Sequence, residues 1–225
     1  MHPDDLSFRD RQDAGRQLVP HLLAHAELSP VVLALPRGGV PVAFEVAKAL
    51  RAPLDLIFVR KIGAPGHAEF GLGAIVDGAH PQVVLNEETV DRLHVSPRYI
   101  REETERQLRE IERRREHYLA GRPPIDVAGR VAIVVDDGIA TGGTVQAALQ
   151  SLSRARPARL ILAVPVAPAD TIGRLRTEAD DVICLMTPEP FYAVGEHYDD
   201  FRQTSDREVT TLLDEAQRWT RESSP

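Results

Sequence analysis

Two adjacent carboxylates, Asp136 and Asp137, end a run of β-branched and small apolar residues, Val131-Ala132-Ile133-Val134-Val135. Gly138-Ile139-Ala140-Thr141-Gly142-Gly143-Thr144 follows at once, and then the helix-forming Val145-Gln146-Ala147-Ala148-Leu149. Glycines let the backbone turn tightly and bring amide groups close to a ligand. A helix opening at such a loop aims unpaired N–H groups and the positive end of its dipole at one point, which suits a phosphate. Carboxylates do not bind phosphate, but they accept hydrogen bonds from sugar hydroxyls. Anion site and diol site side by side describe a ribose 5-phosphate. The Gly-Lys-Ser/Thr of a nucleotide P-loop is missing, and no G-x-G-x-x-G follows a strand.

These groups work only if the elements beneath them are ordered in a particular way. The apolar run reads as a buried parallel strand. Val31 to Leu35 is a second such strand, Val40 to Leu50 a helix and Leu54 to Val59 a further strand, so the chain opens with a β-α-β unit. Asp10 to Ala26 has helical spacing. Arg60 to Gly73 is glycine-rich without periodicity and is expected to be a loop, whereas Gly73 to Val76 and Gln82 to Leu85 suit a small ribbon. Asn86 to His94 and Pro97 to Leu119 are expected helices, the second a solvated one with interleaved Arg and Glu, ended by Pro123-Pro124. Strand, helix, strand, helix, strand continue at 131–135, 144–155, 159–164, 168–178 and 182–186. An irregular aromatic stretch over 187–205 and a closing helix over 206–218 complete the chain.

Ligands of open parallel sheets lie beyond the carboxyl ends of the strands. After the first strand Pro36-Arg37-Gly38-Gly39 opens a helix, so Arg37, Gly38 and Gly39 make a second anion site. After the next strand, glycines at 63, 66, 71 and 73 suggest a hinged lid with Arg60 and Lys61 at its root and His67 near its tip.

A chain of 225 residues, 43% hydrophobic, is long enough for one α/β domain. A net charge of -7 argues against a protein built to coat nucleic acid. The lone cysteine, Cys184, sits in an apolar run and reads as a core residue. No stretch approaches the roughly 20 apolar residues of a membrane helix, and the N-terminus does not read as a signal peptide. The chain is expected to be soluble and cytoplasmic. His21 and His25 stand four apart without a third ligand, which argues against zinc.

The order of four apolar residues, two acids, three variable positions and Thr-Gly-x-Thr resembles the signature with which type I phosphoribosyltransferases bind 5-phosphoribosyl 1-pyrophosphate (PRPP). The resemblance implies that family's α/β fold. It has a mainly parallel central sheet flanked by helices over about 28–187, with a small hood from the terminal segments; hood and closing helix together take up about 188–221. It implies that Asp136 and Asp137 hold the ribose 2- and 3-hydroxyls. Gly138, Ile139, Ala140, Thr141, Gly142, Gly143 and Thr144 would wrap the 5-phosphate. Arg37, Gly38 and Gly39 would form the pyrophosphate loop, with a cis peptide between Pro36 and Arg37. Arg60 or Lys61 would reach the pyrophosphate from a mobile lid, and Mg²⁺ would be held indirectly through Asp136 and Asp137.

The segment Pro188 to Phe201 is similar to the base-binding region of the hypoxanthine–guanine enzymes. On that likeness Phe191 or Tyr192 would stack on the acceptor and Asp199 would lie near it. Those enzymes carry a lysine where this chain reads Val164-Pro165-Val166, which argues against a 6-oxopurine acceptor. Over nearly its whole length the chain resembles a group of bacterial phosphoribosyltransferase-like proteins. They share the Phe8-Arg9-Asp10-Arg11 opening, the Leu35-Pro36-Arg37-Gly38-Gly39 turn and Val59-Arg60-Lys61-Ile62-Gly63-Ala64-Pro65. The implied activity is transfer of a phosphoribosyl group from PRPP to an unidentified acceptor, with release of pyrophosphate. The alternatives are a PRPP-sensing regulator and an enzyme that uses the pocket for another phosphorylated ribose, with phosphorolysis or hydrolysis in place of transfer. Dimers are common in the family, and the resemblance allows a homodimer with Arg60 and Lys61 at its interface.

Overall fold

Val31–Ala34 (β1) and Val131–Val135 (β6) carry no polar side chain, and both are buried along their whole length. Strands apolar on both faces need cover on both sides, which parallel sheets receive from their crossover helices. A computed structural model describes residues 7–65, 67–77 and 81–222 and realises that arrangement. Five parallel strands run in the order β2-β1-β6-β7-β8, where β2 is Leu54–Leu56, β7 Arg159–Val166 and β8 Asp181–Met186. The connections out of β1 and β6, adjacent in the sheet, lead to different neighbours. The crevice at their carboxyl ends is therefore a topological switch point.

Helices α1 (Arg11–Leu22), α2 (Gly39–Leu50) and α7 (Asp206–Glu222) pack together against one face of the sheet. Helix α5 (Gly143–Arg154) and the short α6 (Ala169–Leu175) contribute to the second apolar cluster, on the other face. The helix expected over residues 10–26 is α-helical only to Leu22. It starts where the Asp10 carboxylate accepts the Asp13 amide, and it tightens into a 3-10 turn over Leu23–Leu28. The amino-terminal segment meets the 194–201 stretch through a bridge between Phe8 and Tyr198 and a small aromatic cluster, forming a hood beside the switch point.

Two expectations are corrected. The strand expected over Leu54 to Val59 stops at Leu56. There the Asp77 carboxylate accepts the Phe58 amide and Phe58 O accepts the Asp77 amide, which turns the chain out of the parallel sheet. The expected loop over Arg60 to Gly73 is instead a paired ribbon. Val59–Ala64 (β3) runs antiparallel to His67–Val76 (β4), with irregular register around Gly63, and β4 pairs with Gln82–Leu85 (β5) as the ribbon reading foresaw. Glycine removes the alternation of side chains that marks a strand but leaves the backbone groups that pair it. At Gly73 a Cβ would lie 2.2 Å from Val84 O, so this glycine serves close approach of two strands.

The helix α3 (Glu87–Arg92) is short, and α4 spans Pro97–Leu119 as the sequence indicates. The solvated outer face of α4 carries ion pairs such as Arg98–Glu102 and Arg114–Glu110. Its inner face is anything but generic. Tyr99 donates to Gly63 O, Arg60 donates to Gln107, and Arg115 bridges the buried carboxylates of Asp55 and Asp77. Helix α4 thus backs the ribbon and fixes its root to β2. Burial pushes the Asp77 carboxyl up to about 6, against the pull of Arg115.

Candidate functional site

The carboxylates and both glycine turns converge at the switch point. Leu35 N donates to Val135 O at 3.0 Å, which carries the first turn alongside the end of β6. The turn Pro36–Gly39 then seats on the acid pair. A Cβ on Gly38 would fall 2.1 Å from Asp137 Oδ2, and one on Gly39 would fall 2.8 Å from Val135 O and 3.0 Å from Asp136 Cα. Gly38 has ordinary helical dihedrals, so closeness and not backbone freedom requires glycine there. The Pro36–Arg37 peptide bond is cis, as the resemblance implied.

The second turn has a different requirement. Gly142 caps α5 with φ of 79° in the left-handed region, and its Cβ would press on Thr171. The first bond of the helix runs from Gln146 N to Gly142 O, so the amides before Gln146 have no intrahelical acceptor. Ala140, Thr141, Gly143 and Thr144 are exposed around that end. Ile139 lies apart from them: its side chain is buried and its amide donates to Val166 O at 2.9 Å. From Ile139 onward, the loop's available amides therefore begin at Ala140.

Asp136 and Asp137 are held in unequal ways. The Asp137 amide donates to Asp136 Oδ1 at 2.9 Å. Burial, and then the charge of Asp137, push the Asp136 carboxyl well above its usual range. Asp137, just past the end of β6, is largely withdrawn from solvent. Its side chain is only 15% exposed and ion-paired at 2.7 Å with Arg11, which is 11% exposed. The Tyr198 hydroxyl donates to the Asp137 carbonyl. Burial and the same carboxylate raise the Tyr198 hydroxyl. Arg11, Tyr198 and the Phe201 ring beneath the Arg11 guanidinium are contacts that the reading of motifs missed. The available signal was the Phe8-Arg9-Asp10-Arg11 opening, to which no role could be given without its distant partner.

The two basic residues expected at the root of a lid separate. Lys61, exposed on β3, lines a cleft of about 500 Å³ together with Asn86 and with Thr141, Gly143 and Thr144 of the loop that opens α5. Arg60 turns the other way and donates to Gln107 of α4 at 2.9 Å. Gly66 and the side chain of His67 lie outside the described residues. Arg37 pairs with Asp206 at 3.2 Å, and Asp206 also accepts from the Tyr118 hydroxyl at 2.6 Å.

The three acceptor candidates lie in the hood but do not form one surface. Phe191 stacks on His197 with ring centroids 5.5 Å apart, Tyr192 is 75% exposed, and the Asp199 carboxylate accepts from Ser7. Cys184 is half-buried in the apolar cluster behind the sheet, with its sulfur 3.1 Å from Met186 O. Among the described residues no three His, Cys, Asp or Glu side chains gather as a metal cage, and no helix is long and apolar enough to cross a membrane.

Comparison with known proteins adds to this geometry. Residues 11–200 match the model of the phosphoribosyl transferase domain. A protein found in two strains of Mycobacterium tuberculosis, provisionally named a phosphoribosyl transferase, is 49% identical over 213 residues. The match takes in 94% of this chain and 47% of that protein, so the chain spans about half the length of the curated relatives it matches. A crystal structure of a Thermus thermophilus protein aligns with a TM-score of 0.80 at 41% identity, over 93% of this chain and 98% of the other.

Proposed function

The chain belongs to the phosphoribosyl transferase family, and from that premise we propose that it transfers the 5-phosphoribosyl group of PRPP to a nitrogenous base or related acceptor, releasing pyrophosphate. The observation that carries this reading is the seating of the Pro36–Gly39 turn directly on the Asp136–Asp137 pair, beside the open end of α5. One anion site on each side of a diol site matches a ribose bearing phosphate at one end and pyrophosphate at the other.

In this reading the amides from Ala140 to Thr144 and the Thr141 and Thr144 hydroxyls hold the 5-phosphate. Asp136 and Asp137 accept from the ribose hydroxyls. The C1–oxygen bond to pyrophosphate breaks heterolytically, leaving the electron pair on the pyrophosphate and an oxocarbenium-like ribose. The acceptor nitrogen then forms the new bond to C1. The leaving charge is met by the Arg37 turn and by Lys61, already facing the phosphate loop across the cleft. Fixed dipoles and cations so placed need not reorganise as the charge develops.

Two neighbouring carboxylates suit Mg²⁺, a hard cation commonly held by one or two carboxylates plus substrate phosphates and water. Asp136 and Asp137 would hold it through water, and when bound it would neutralise pyrophosphate charge.

The test is pyrophosphate release from PRPP across a panel of nitrogenous acceptors. Acceptor-dependent release that disappears in Asp137→Asn supports transfer. Release of equal rate without any acceptor would identify hydrolysis instead.

A further inference from the structure

Asp137 is anchored at three of its polar atoms. Its amide is bound to Asp136, its carbonyl to the Tyr198 hydroxyl at 2.5 Å, and its Oδ2 to Arg11 Nε at 2.7 Å. The first anchor is local, whereas the other two come from the hood, from opposite ends of the chain. Arg11 is itself fixed on three sides. Its Nη1 donates to Arg202 O at 2.7 Å, its guanidinium carbon lies 3.8 Å from the centroid of the Phe201 ring, and its backbone opens α1 behind the Asp10 cap. Both members of the pair are nearly enclosed.

A planar guanidinium that donates in two directions while stacking on a ring has one orientation, and a flexible ammonium would not reproduce it. The carboxylate bound to it is therefore fixed as well. On the other side of Asp137 stands Gly38, too close to allow even a methyl group. The carboxylate is thus clamped between the hood and the Pro36–Gly39 turn.

We propose that Arg11 is a positioning residue: by gripping Asp137 it aims the carboxylate at the ribose diol and ties the hood to the sugar site. This rests on the reading of the 136–144 loop as a ribose-phosphate site. A carboxylate has about four lone-pair positions, so the grip of Arg11 leaves capacity for hydroxyl donors. The arrangement separates two tasks. The α5 loop binds phosphate without the help of Arg11, and the aimed carboxylate recognises the hydroxyls.

That separation is what an experiment can read. Ribose 5-phosphate and 2-deoxyribose 5-phosphate are titrated calorimetrically into the full chain and into Arg11→Met, Arg11→Lys and Tyr198→Phe, with each variant's unfolding midpoint recorded. The wild type is expected to prefer the ribose sugar about tenfold or more, the worth of a hydrogen bond to a charged group. Arg11→Met keeps a long apolar stem against Phe201 but loses the grip. Its preference should shrink to about twofold or less while its affinity for the deoxy sugar stays within about twofold of wild type. Arg11→Lys should recover part of the preference, and Tyr198→Phe should reduce it to a lesser degree.

A folded Arg11→Met that keeps the full preference overturns the proposal. So does one that loses both sugars equally, because that is the mark of a purely structural role. If Arg11→Met does not fold, an unaltered preference in both Arg11→Lys and Tyr198→Phe overturns it as well. A wild type that binds neither sugar overturns the ribose-phosphate reading itself, and the role of Arg11 with it.

Discussion

Replacing Gly38 with alanine should damage the site through a single contact. The backbone there, with φ of -60° and ψ of -37°, accepts any L-residue, so no conformational strain enters. The new methyl would meet Asp137 Oδ2 at 2.1 Å, Cγ at 2.6 Å and Oδ1 at 3.0 Å, and something must move. If the carboxylate swings away it leaves Arg11 unpaired in a nearly enclosed place, and breaking a buried pair costs about 3–5 kcal/mol. If instead the turn shifts outward, the cost is that of overpacking, about 1–3 kcal/mol. The cheaper route prevails, so Gly38→Ala should lose about 1–3 kcal/mol in denaturant unfolding. On either route the carboxylate and the turn no longer sit together. PRPP affinity by calorimetry should then fall about tenfold or more, the equivalent of one lost hydrogen bond to a charged group. Gly143→Ala is the matched control. Gly143 opens α5 with nothing within 4 Å of the added methyl, so its stability should be unchanged or raised by up to about 1 kcal/mol. Wild-type stability and PRPP affinity in Gly38→Ala would show that this contact does not constrain the site, as would equal destabilisation by the two substitutions.

Other expectations follow from the same contacts. Lys61→Met, at an exposed position on the cleft, should lower pyrophosphate release about tenfold or more while leaving the unfolding midpoint unchanged; an unaltered rate would remove Lys61 from the site. Asp77 titrates near 6 in the folded chain, above its ordinary 3.8, so the folded state holds that proton more tightly than the unfolded state. Its unfavourable burial is therefore absent at acid pH and sets in as pH rises from about 4 through 6, lowering stability by up to about 3 kcal/mol. Urea unfolding across that range should show this fall in the wild type relative to Asp77→Asn, and parallel pH profiles of the two proteins would contradict it. Burial pushes the Cys184 thiol up to about 11, so native alkylation at pH 8 should run on the order of a hundredfold slower than that of a free thiol, and rapid labelling would place the sulfur outside the core.

What could be read from the chain alone follows the range of the forces involved. The strand at 131–135 and the helix at 97–119 coincide with the sequence reading at both ends, because burial on both faces and a Ser96 cap before Pro97 are local signals. The paired segments at 73–76 and 82–85 were legible as a ribbon, each carrying β-branched residues. The stretch Arg60–Gly73 was not, since strand pairing depends on backbone groups and glycine erases the side-chain pattern that reveals it. The early end of β2 depends on Asp77, nearly twenty residues downstream, accepting the Phe58 amide. At the site, the carboxylates and glycine loops could be named from their order. The tie between Arg11 and Asp137 could not, because it spans 126 residues and a hood whose folding no local pattern announces. Arg60 and Lys61 look equivalent in sequence, and only the alternation of the strand sends one to α4 and the other to the cleft.

The most direct test of the ribose-phosphate site is calorimetric titration of PRPP with Mg²⁺ into the wild type and into the double variant Asp136→Asn/Asp137→Asn. Micromolar binding by the wild type is expected, and its loss in a variant that remains folded. A wild type that does not bind PRPP, or a folded variant that binds it equally well, would contradict the ribose-phosphate reading.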